Sequence, residues 1–410
     1  MAMTSEMPRV LVIASTFPRW RNDTEPSFVF DLCQYLHGKG LQIDVIAPHA
    51  PGAEKHELLD GINVYRYQYF ISDLQTLAYS GGILANLKKN PLNYLLVPFL
   101  VIAQSFALYH RLKNTHYRLI HAHWLIPQGC ICAFINMLLR RKAPALVCTS
   151  HGGDLYALNN FFFTRLKKWT IDKCTHFCVV SSAMKKVAMK MGVNGGKISV
   201  MPMGVDLINE FKPVPEIKRN DQRLIFVGRL VEKKGAGCLL DAMARVTKTV
   251  PGAELLIVGG GPLRSTLEQE AKQLGLDNHV QFLGTVPHHQ LPDLYSSAGI
   301  AVVPSIIDST GDQEGLGLVT IEAMGCGCAV IASSLDAIRD VVDAKTGIFV
   351  TPGDPVNLAE KICLLLGNRE LRQQMAAQGR DKVTKQFDWQ VAGERYFQLI
   401  NSHAKLQATG

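Results

Sequence analysis

The segment Glu314-Gly315-Leu316-Gly317-Leu318-Val319-Thr320-Ile321-Glu322-Ala323 places two carboxylates around a pair of glycines where a helix is set to begin. Unpaired N–H groups and the helix dipole suit such a spot to oxygen-rich or anionic ligands. A carboxylate at Glu322, eight residues beyond Glu314 and about two turns along a helix, could accept both hydrogen bonds of a diol such as a ribose. An ordinary strand-to-helix turn with an acidic residue on its dipole has the same composition. A second cluster is Phe226-Val227-Gly228-Arg229-Leu230 followed by Glu232-Lys233-Lys234-Gly235. Arg229 and Lys234 leave the end of an apolar strand, and two fixed cations there would hold a diphosphate and stabilise charge on it as it departs. Taken alone, such a pair reads more readily as two surface cations.

Leu255-Leu256-Ile257-Val258-Gly259-Gly260-Gly261-Pro262 is a strand followed by a glycine turn. It fails the GxGxxG pattern because Arg264 stands at the last glycine position, and Val10–Ser15 lacks the pattern as well, so a dinucleotide-dependent oxidoreductase fits poorly. In the first half, Thr149-Ser150-His151-Gly152-Gly153-Asp154 and His121-Ala122-His123-Trp124 each follow an apolar run. His151 stands where a polar ligand could meet it, with a turn-capping histidine as the plain alternative. The spacing of His121 and His123 would suit a metal, but no third ligand lies near in sequence.

These loops need a scaffold that gathers strand ends. Short Val/Ile-rich runs at 9–15, 41–47, 118–122, 145–149, 176–181 and 197–201 alternate with helical patterns at 27–38, 92–113, 127–141, 162–173 and 182–191. Such alternation predicts βαβ units and a parallel sheet covered on both faces. The pattern pauses at 204–221, where Pro213 and Pro215 fall, and restarts with strands at 222–228, 253–258, 279–283, 299–304, 328–332 and 347–350. Residues 354–405 read as helix with a break near Phe387-Asp388-Trp389. The expected architecture is α/β with two doubly wound domains, residues 1–206 and 207–388, in a 410-residue chain too long for one core.

Composition narrows the class further. The net charge is +8, and residues 1–210 carry 22 Lys/Arg against 13 Asp/Glu, so the excess lies in the first half. That favours an anionic partner such as a phospholipid surface, with a solvated basic face as the bland reading and no motif for nucleic acid. Ten cysteines without a repeated CxxC read as buried thiols in a reducing compartment. No secretory signal is visible, and the apolar run Leu92–Tyr109, flanked by Lys88, Lys89, Arg111 and Lys113, reads as a core or membrane-surface helix. The expectation is a cytoplasmic protein, soluble or peripheral on the inner face of a membrane.

Together the motifs resemble the retaining glycosyltransferases of family 4, which have the GT-B fold. The resemblance runs from Ser15-Thr16-Phe17-Pro18-Arg19-Trp20 through His151-Gly152-Gly153-Asp154 and Pro202-Met203-Gly204-Val205-Asp206 to Gly228-Arg229-Leu230. It continues through Gly259-Gly260-Gly261-Pro262 to the Glu314…Glu322 motif. It implies two Rossmann-like domains facing across a cleft, the first binding the acceptor and completed by a final helix at about 389–410, the second binding the nucleotide-sugar.

By the same resemblance, Arg229 and Lys234 match the positions that hold the donor diphosphate, and Glu322 the ribose. Glu314 and the amides of Gly315, Leu316, Gly317 and Leu318 match the loop that orients the transferred sugar. His151 matches a histidine near the reacting carbon, and the Val286 backbone a base-binding position. His123 and Asp154 are weaker candidates for the acceptor. Two departures stand out: Asn22-Asp23-Thr24-Glu25-Pro26-Ser27 holds no glycine where many relatives have Gly-Gly, and Gly260 stands where many have Asp. The implied reaction moves a hexose, with UDP favoured as the donor nucleotide, to a lipid-linked, glycan or small-molecule hydroxyl. It proceeds with retention and needs neither cofactor nor catalytic metal. A nucleotide-sugar epimerase of the same fold is the alternative. A non-catalytic module binding anionic lipid or sugar is opposed by the intact set of candidate residues.

Overall fold

A computed structural model describes residues 8–21 and 23–406, with side chains through Ala404. Asn22, and the last four residues of the segment expected to form the final helix, lie outside the described residues. The chain forms two compact units. The first runs through Val180, takes in Met184–Met203 and is completed from Ala392 onward. The second comprises Ser181–Ala183 and Gly204–Val391.

In the first unit the elements are β1 (Arg9–Ile13), α1 (Phe28–Gly38), β2 (Gln42–Pro48), β3 (His56–Leu59), β4 (Ile62–Tyr67), α2 (Ile83–Lys89) and α3 (Val97–Asn114). They continue with β5 (Leu119–His123), α4 (Cys130–Leu139), β6 (Ala145–Ser150), α5 (Gly153–Tyr156), α6 (Phe161–Lys173), β7 (His176–Val179), α7 (Ser182–Lys190) and β8 (Ile198–Val200). The sheet order is β3-β4-β2-β1-β5-β6-β7-β8, all parallel except the β3–β4 hairpin. Its central strands are buried throughout: Val10–Ile13 and Leu146–Cys148 are at most 1% exposed, as expected of strands covered on both faces.

The β3–β4 hairpin is an addition to the expected pattern. Its turn is Asp60-Gly61, with φ of 46° and 88°, the left-handed pair that a tight hairpin requires. The helix expected at 127–141 begins three residues later, at Cys130, because Leu125–Gly129 forms a separate kinked turn.

The second unit contains β9 (Asn220–Val227), α8 (Ala236–Thr249), β10 (Glu254–Val258), α9 (Arg264–Gln273), β11 (Val280–Gly284), α10 (Leu291–Ser297) and β12 (Ala298–Val303). It ends with α11 (Leu318–Gly325), β13 (Ala329–Ser333), β14 (Gly347–Val350), α12 (Pro355–Gly367) and α13 (Arg369–Phe387). The sheet is wholly parallel in the order β11-β10-β9-β12-β13-β14. The strand order reverses between β9 and β12, so the loops leaving those two strands flank the crevice where doubly wound sheets bind ligands.

The last helix, α14 (Trp389–Leu406), joins the first unit from Ala392. Tyr396 donates to the Met201 carbonyl at 2.7 Å, Glu394 pairs with Lys39 at 2.8 Å, and Gly393 leaves room for the ring of Tyr35. All ten cysteines are free thiols. Burial raises the thiols of Cys33 and Cys178, which keeps them protonated and unreactive.

Candidate active site

In the second unit the residues after β9 and β12 are laced together. Glu232, Lys233 and Lys234 form one short turn, and each clasps the loop that leads into α11. Glu232 accepts from the Ser309 amide and hydroxyl at 3.1 and 3.0 Å. Lys233 pairs with Asp312 at 2.9 Å, while its carbonyl accepts from the Ile306 amide. Lys234 Nζ donates to Glu314 Oε2 at 2.6 Å, with both side chains about 15% exposed. Burial by itself would raise the Glu314 carboxyl. Lys234, then Lys233, and further out Arg229, pull it instead down to about 2.

Gly235 makes this close lacing feasible. Its φ is +70°, and a Cβ there would lie 1.9 Å from the Pro304 carbonyl oxygen at the end of β12. Only glycine fits. The Gly259–Pro262 turn does similar work on the other side. A Cβ on Gly259 would meet the Gly228 carbonyl at 2.0 Å, and one on Gly261 the Leu230 carbonyl at 2.5 Å. The Leu230 amide donates to the Gly260 carbonyl at 2.8 Å. The glycines therefore bring the two turns into backbone contact and fix the loop bearing Arg229, which is itself exposed.

Glu314 lies in the loop ahead of α11 and Glu322 lies within that helix, so of the two turns expected between them only the part from Leu318 onward is helical. Gly317 is the N-cap of α11, at φ 83°, and supplies no side-chain cap. The first amides of α11 are thus presented beside the Lys234–Glu314 pair. Glu322 is 6% exposed and accepts from the Tyr295 hydroxyl at 3.1 Å, with His288 Nε2 3.4 Å from its other oxygen. His288 in turn stacks obliquely on Phe211 and faces Glu210 at 3.7 Å. Val286 lies in the loop between β11 and the turn carrying His288. Tyr295 and His288 escaped the sequence reading because their partner lies 27 and 34 residues away.

The first unit gathers an aromatic cluster at the ends of β5 and β6. His123 Nδ1 and His151 Nε2 share a hydrogen bond of 2.9 Å, and His121 Nε2 bonds Thr149 Oγ1 at 2.9 Å. Phe28 and Trp124 lie against the His151 ring, at centroid distances of 5.0 and 4.9 Å. Burial pushes His121 and His151 down to about 3 and His123 well below its ordinary value, so all three rings are neutral at pH 7. Trp124 adopts φ 72°, a conformation that costs a bulky residue about 1–3 kcal/mol and concentrates at functional sites.

His123 is fully buried, so it meets any ligand only through His151. Asp154 is 5% exposed and already engaged: it accepts from the amides of His151 and Gly152 at 3.1 Å each and of Leu125 at 2.6 Å. Its geometry is that of a brace between the His151 and Trp124 loops. Both residues, expected as acceptor contacts, have their side chains engaged inside the unit. His151 is the half-buried member that remains at the surface of the cluster. Behind it, Lys167 is buried and donates to the Leu155 carbonyl at 2.8 Å, holding the end of α5.

The glycine-free loop after β1 is held by ions instead. Arg19 donates through Nε and Nη2 to Asp23 at 2.8 and 2.6 Å and stacks on Trp20. Glu25 accepts from the Ser80 amide at 2.7 Å, which brings Gly81 and Gly82 of another loop alongside. Among the described residues no group of three His, Cys, Asp or Glu converges as a metal site.

The family model described as Glycosyltransferase Family 4 matches residues 27–208, and that described as Glycosyl transferases group 1 matches residues 208–382. A GDP-mannose-dependent alpha-(1-6)-phosphatidylinositol monomannoside mannosyltransferase of Mycolicibacterium smegmatis is 29% identical over 66% of this chain and 73% of its own length. The phosphatidyl-myo-inositol mannosyltransferase of Mycobacterium leprae is 26% identical over 92% of each. Among solved structures, sucrose-phosphate synthase from Thermosynechococcus elongatus superposes with a TM-score of 0.78 at 22% identity, over 98% of this chain and 100% of that one, which speaks to fold alone. None of these is an epimerase, so the alternative left open by the sequence finds no support. With both family models matched end to end on two such sheets, the chain belongs to the family 4 glycosyltransferases of GT-B fold.

Proposed function

We propose that this glycosyltransferase moves a hexose, with retention, from a nucleoside-diphosphate sugar to a hydroxyl of a lipid-borne or glycan acceptor, and that GDP-mannose precedes UDP-sugars as the donor to test. The observation that carries the reading is the Lys234–Glu314 pair beside the uncapped start of α11. A diphosphate needs fixed cations and free amides, and both are gathered there. The preference for GDP-mannose departs from the UDP favoured on sequence grounds and follows the printed names of the mannosyltransferase relatives.

In this reading Arg229 and Lys234 hold the diphosphate, and Glu322, oriented by Tyr295, accepts from the ribose hydroxyls. Val286 offers its backbone to the base. Glu314 and the amides of Gly315–Leu318 orient the sugar, and neutral His151 donates or accepts at a sugar hydroxyl. As the bond from the anomeric carbon to the phosphate oxygen breaks, negative charge grows on the diphosphate. The cations and the α11 amides stabilise it without a metal. The acceptor oxygen bonds to the anomeric carbon on the face that the phosphate leaves, and its proton passes to the departing phosphate oxygen.

The test uses the full chain with chelator present. It measures turnover and binding with GDP-mannose, UDP-glucose and ADP-glucose, using phosphatidylinositol in detergent micelles as the first acceptor. Transfer with the α-anomer retained supports the proposal. Failure of every donor to bind, an inverted product, or activity that disappears with chelator and returns with a divalent ion would refute its respective parts.

A further inference from the structure

The segment 91–114 has the length and apolar composition to cross a membrane, yet it is packed on the first unit with its polarity reversed. On α3 the side turned inward carries Gln104, which is 0% exposed and accepts from the buried Tyr67 hydroxyl at 3.1 Å. Just before α3, buried Asn93 is hydrogen-bonded to Thr76 and to the Asn86 carbonyl. The outward side carries Leu95, Phe99, Ile102, Phe106 and Tyr109, spaced four, three, four and three residues apart. That is the spacing of one helical face, and the first four are 49–71% exposed. The adjoining helix α4 adds Phe134, Met137 and Leu138, each about half exposed. An apolar face of this extent, about 15 Å along α3 from Phe99 to Tyr109, marks an interaction surface.

Charge selects the occupant. Residues 74–153 contain no Asp or Glu at all, while Lys88 and Lys89 end α2 ahead of the stripe, Lys113 stands in the last turn of α3, and the run Arg140-Arg141-Lys142 follows α4. These six side chains are exposed. A second copy of the chain would bring like charge against like charge at both ends of the stripe. An anionic bilayer meets both the apolar stripe and its basic borders.

We propose that the outer face of α3 and α4 is a docking surface for anionic phospholipid membranes, with α3 lying in the plane of the interface. The buried Gln104 and the stacking of Arg111 on Tyr65 keep the helix on its sheet, so the segment lies on the membrane and does not cross it. This goes beyond the transfer reaction and does not depend on which sugar is moved.

The experiment is co-sedimentation of the full chain with phosphatidylcholine vesicles, with and without phosphatidylglycerol, in the absence of any sugar donor. The wild type is expected to bind the anionic vesicles and to be released by salt. Phe99→Ser combined with Phe106→Ser, and separately Lys88→Glu combined with Lys89→Glu, should each weaken binding about tenfold or more. Leu364→Ser, an exposed apolar residue on α12, should not. All the substituted side chains are exposed, so the unfolding midpoint should stay in place as the check on folding. Equal binding to neutral and anionic vesicles, or binding unchanged in both double variants, would overturn the proposal. So would failure to bind vesicles together with a lipid-free dimer that Phe99→Ser/Phe106→Ser makes monomeric.

Discussion

Removing the charge of Glu314 should cost stability by an amount that depends on pH in a defined direction. The carboxyl lies at about 2 in the folded unit against an ordinary value of 4.5, a gap worth roughly 3 kcal/mol. Because the folded value is the lower one, this stabilisation is complete above about pH 5 and drains away as pH falls towards 2. At pH 7, Lys234→Met leaves Glu314 buried with only Lys233 and Arg229 nearby. Breaking a buried pair from one side costs about 3–5 kcal/mol, and these neighbours place the cost at the low end. Glu314→Gln keeps the shape and should cost less, while the double variant should come close to Glu314→Gln alone. The expected coupling is about 2–3 kcal/mol. The assay is urea unfolding of the four proteins from pH 7 to pH 3, resolved for the second unit by hydrogen exchange. A coupling below about 0.5 kcal/mol at pH 7, or a wild-type advantage over Glu314→Gln that stays flat down to pH 3, would refute the argument.

The buried histidines predict a second acid effect: His121, held at about 3, must charge on unfolding, so stability contributed above about pH 6.5 is lost as pH falls towards 3. His121→Gln should flatten the drop in melting temperature between pH 7 and pH 5, and an unchanged slope would remove His121 from the account. Tyr295→Phe removes one hydrogen bond from Glu322, and about 1 kcal/mol corresponds to a donor KM roughly fivefold higher with kcat little changed. A fall in kcat at constant KM would place Tyr295 in the chemical step instead. Gly259→Ala puts a Cβ 2.0 Å from the Gly228 carbonyl at φ +132°, so it should lower stability by about 3 kcal/mol or more, whereas Gly38→Ala meets nothing within 4 Å and should be close to neutral in urea unfolding.

Much of the scaffold was legible because its signals are local. Runs such as Val10-Leu11-Val12-Ile13 and Leu255-Leu256-Ile257-Val258 are strands because they are apolar on both faces. The helices between them declare themselves by period, and the expected strands of the second unit all fall on strands there. The β3–β4 hairpin was missed even though Asp60-Gly61 is a strong turn signal, because the flanking strands mix charged and apolar residues. The run Leu92–Tyr109 was readable as a basic-flanked apolar helix, but which face is buried was not. The buried Asn93 and Gln104 find partners 17 and 37 residues away.

By itself the sequence determined where the strands end and which charged and glycine residues stand at those ends, since both follow from patterning along a few residues. Only the tertiary structure decided what those residues do to one another. Lys234 and Glu314 are 80 residues apart and meet because β9 and β12 are neighbours. Asp154 proved a brace and His123 a buried support for His151, because β5 and β6 run side by side. Ion pairing, burial and the displaced proton affinities that follow depend on distances through space, and sequence spacing does not carry them.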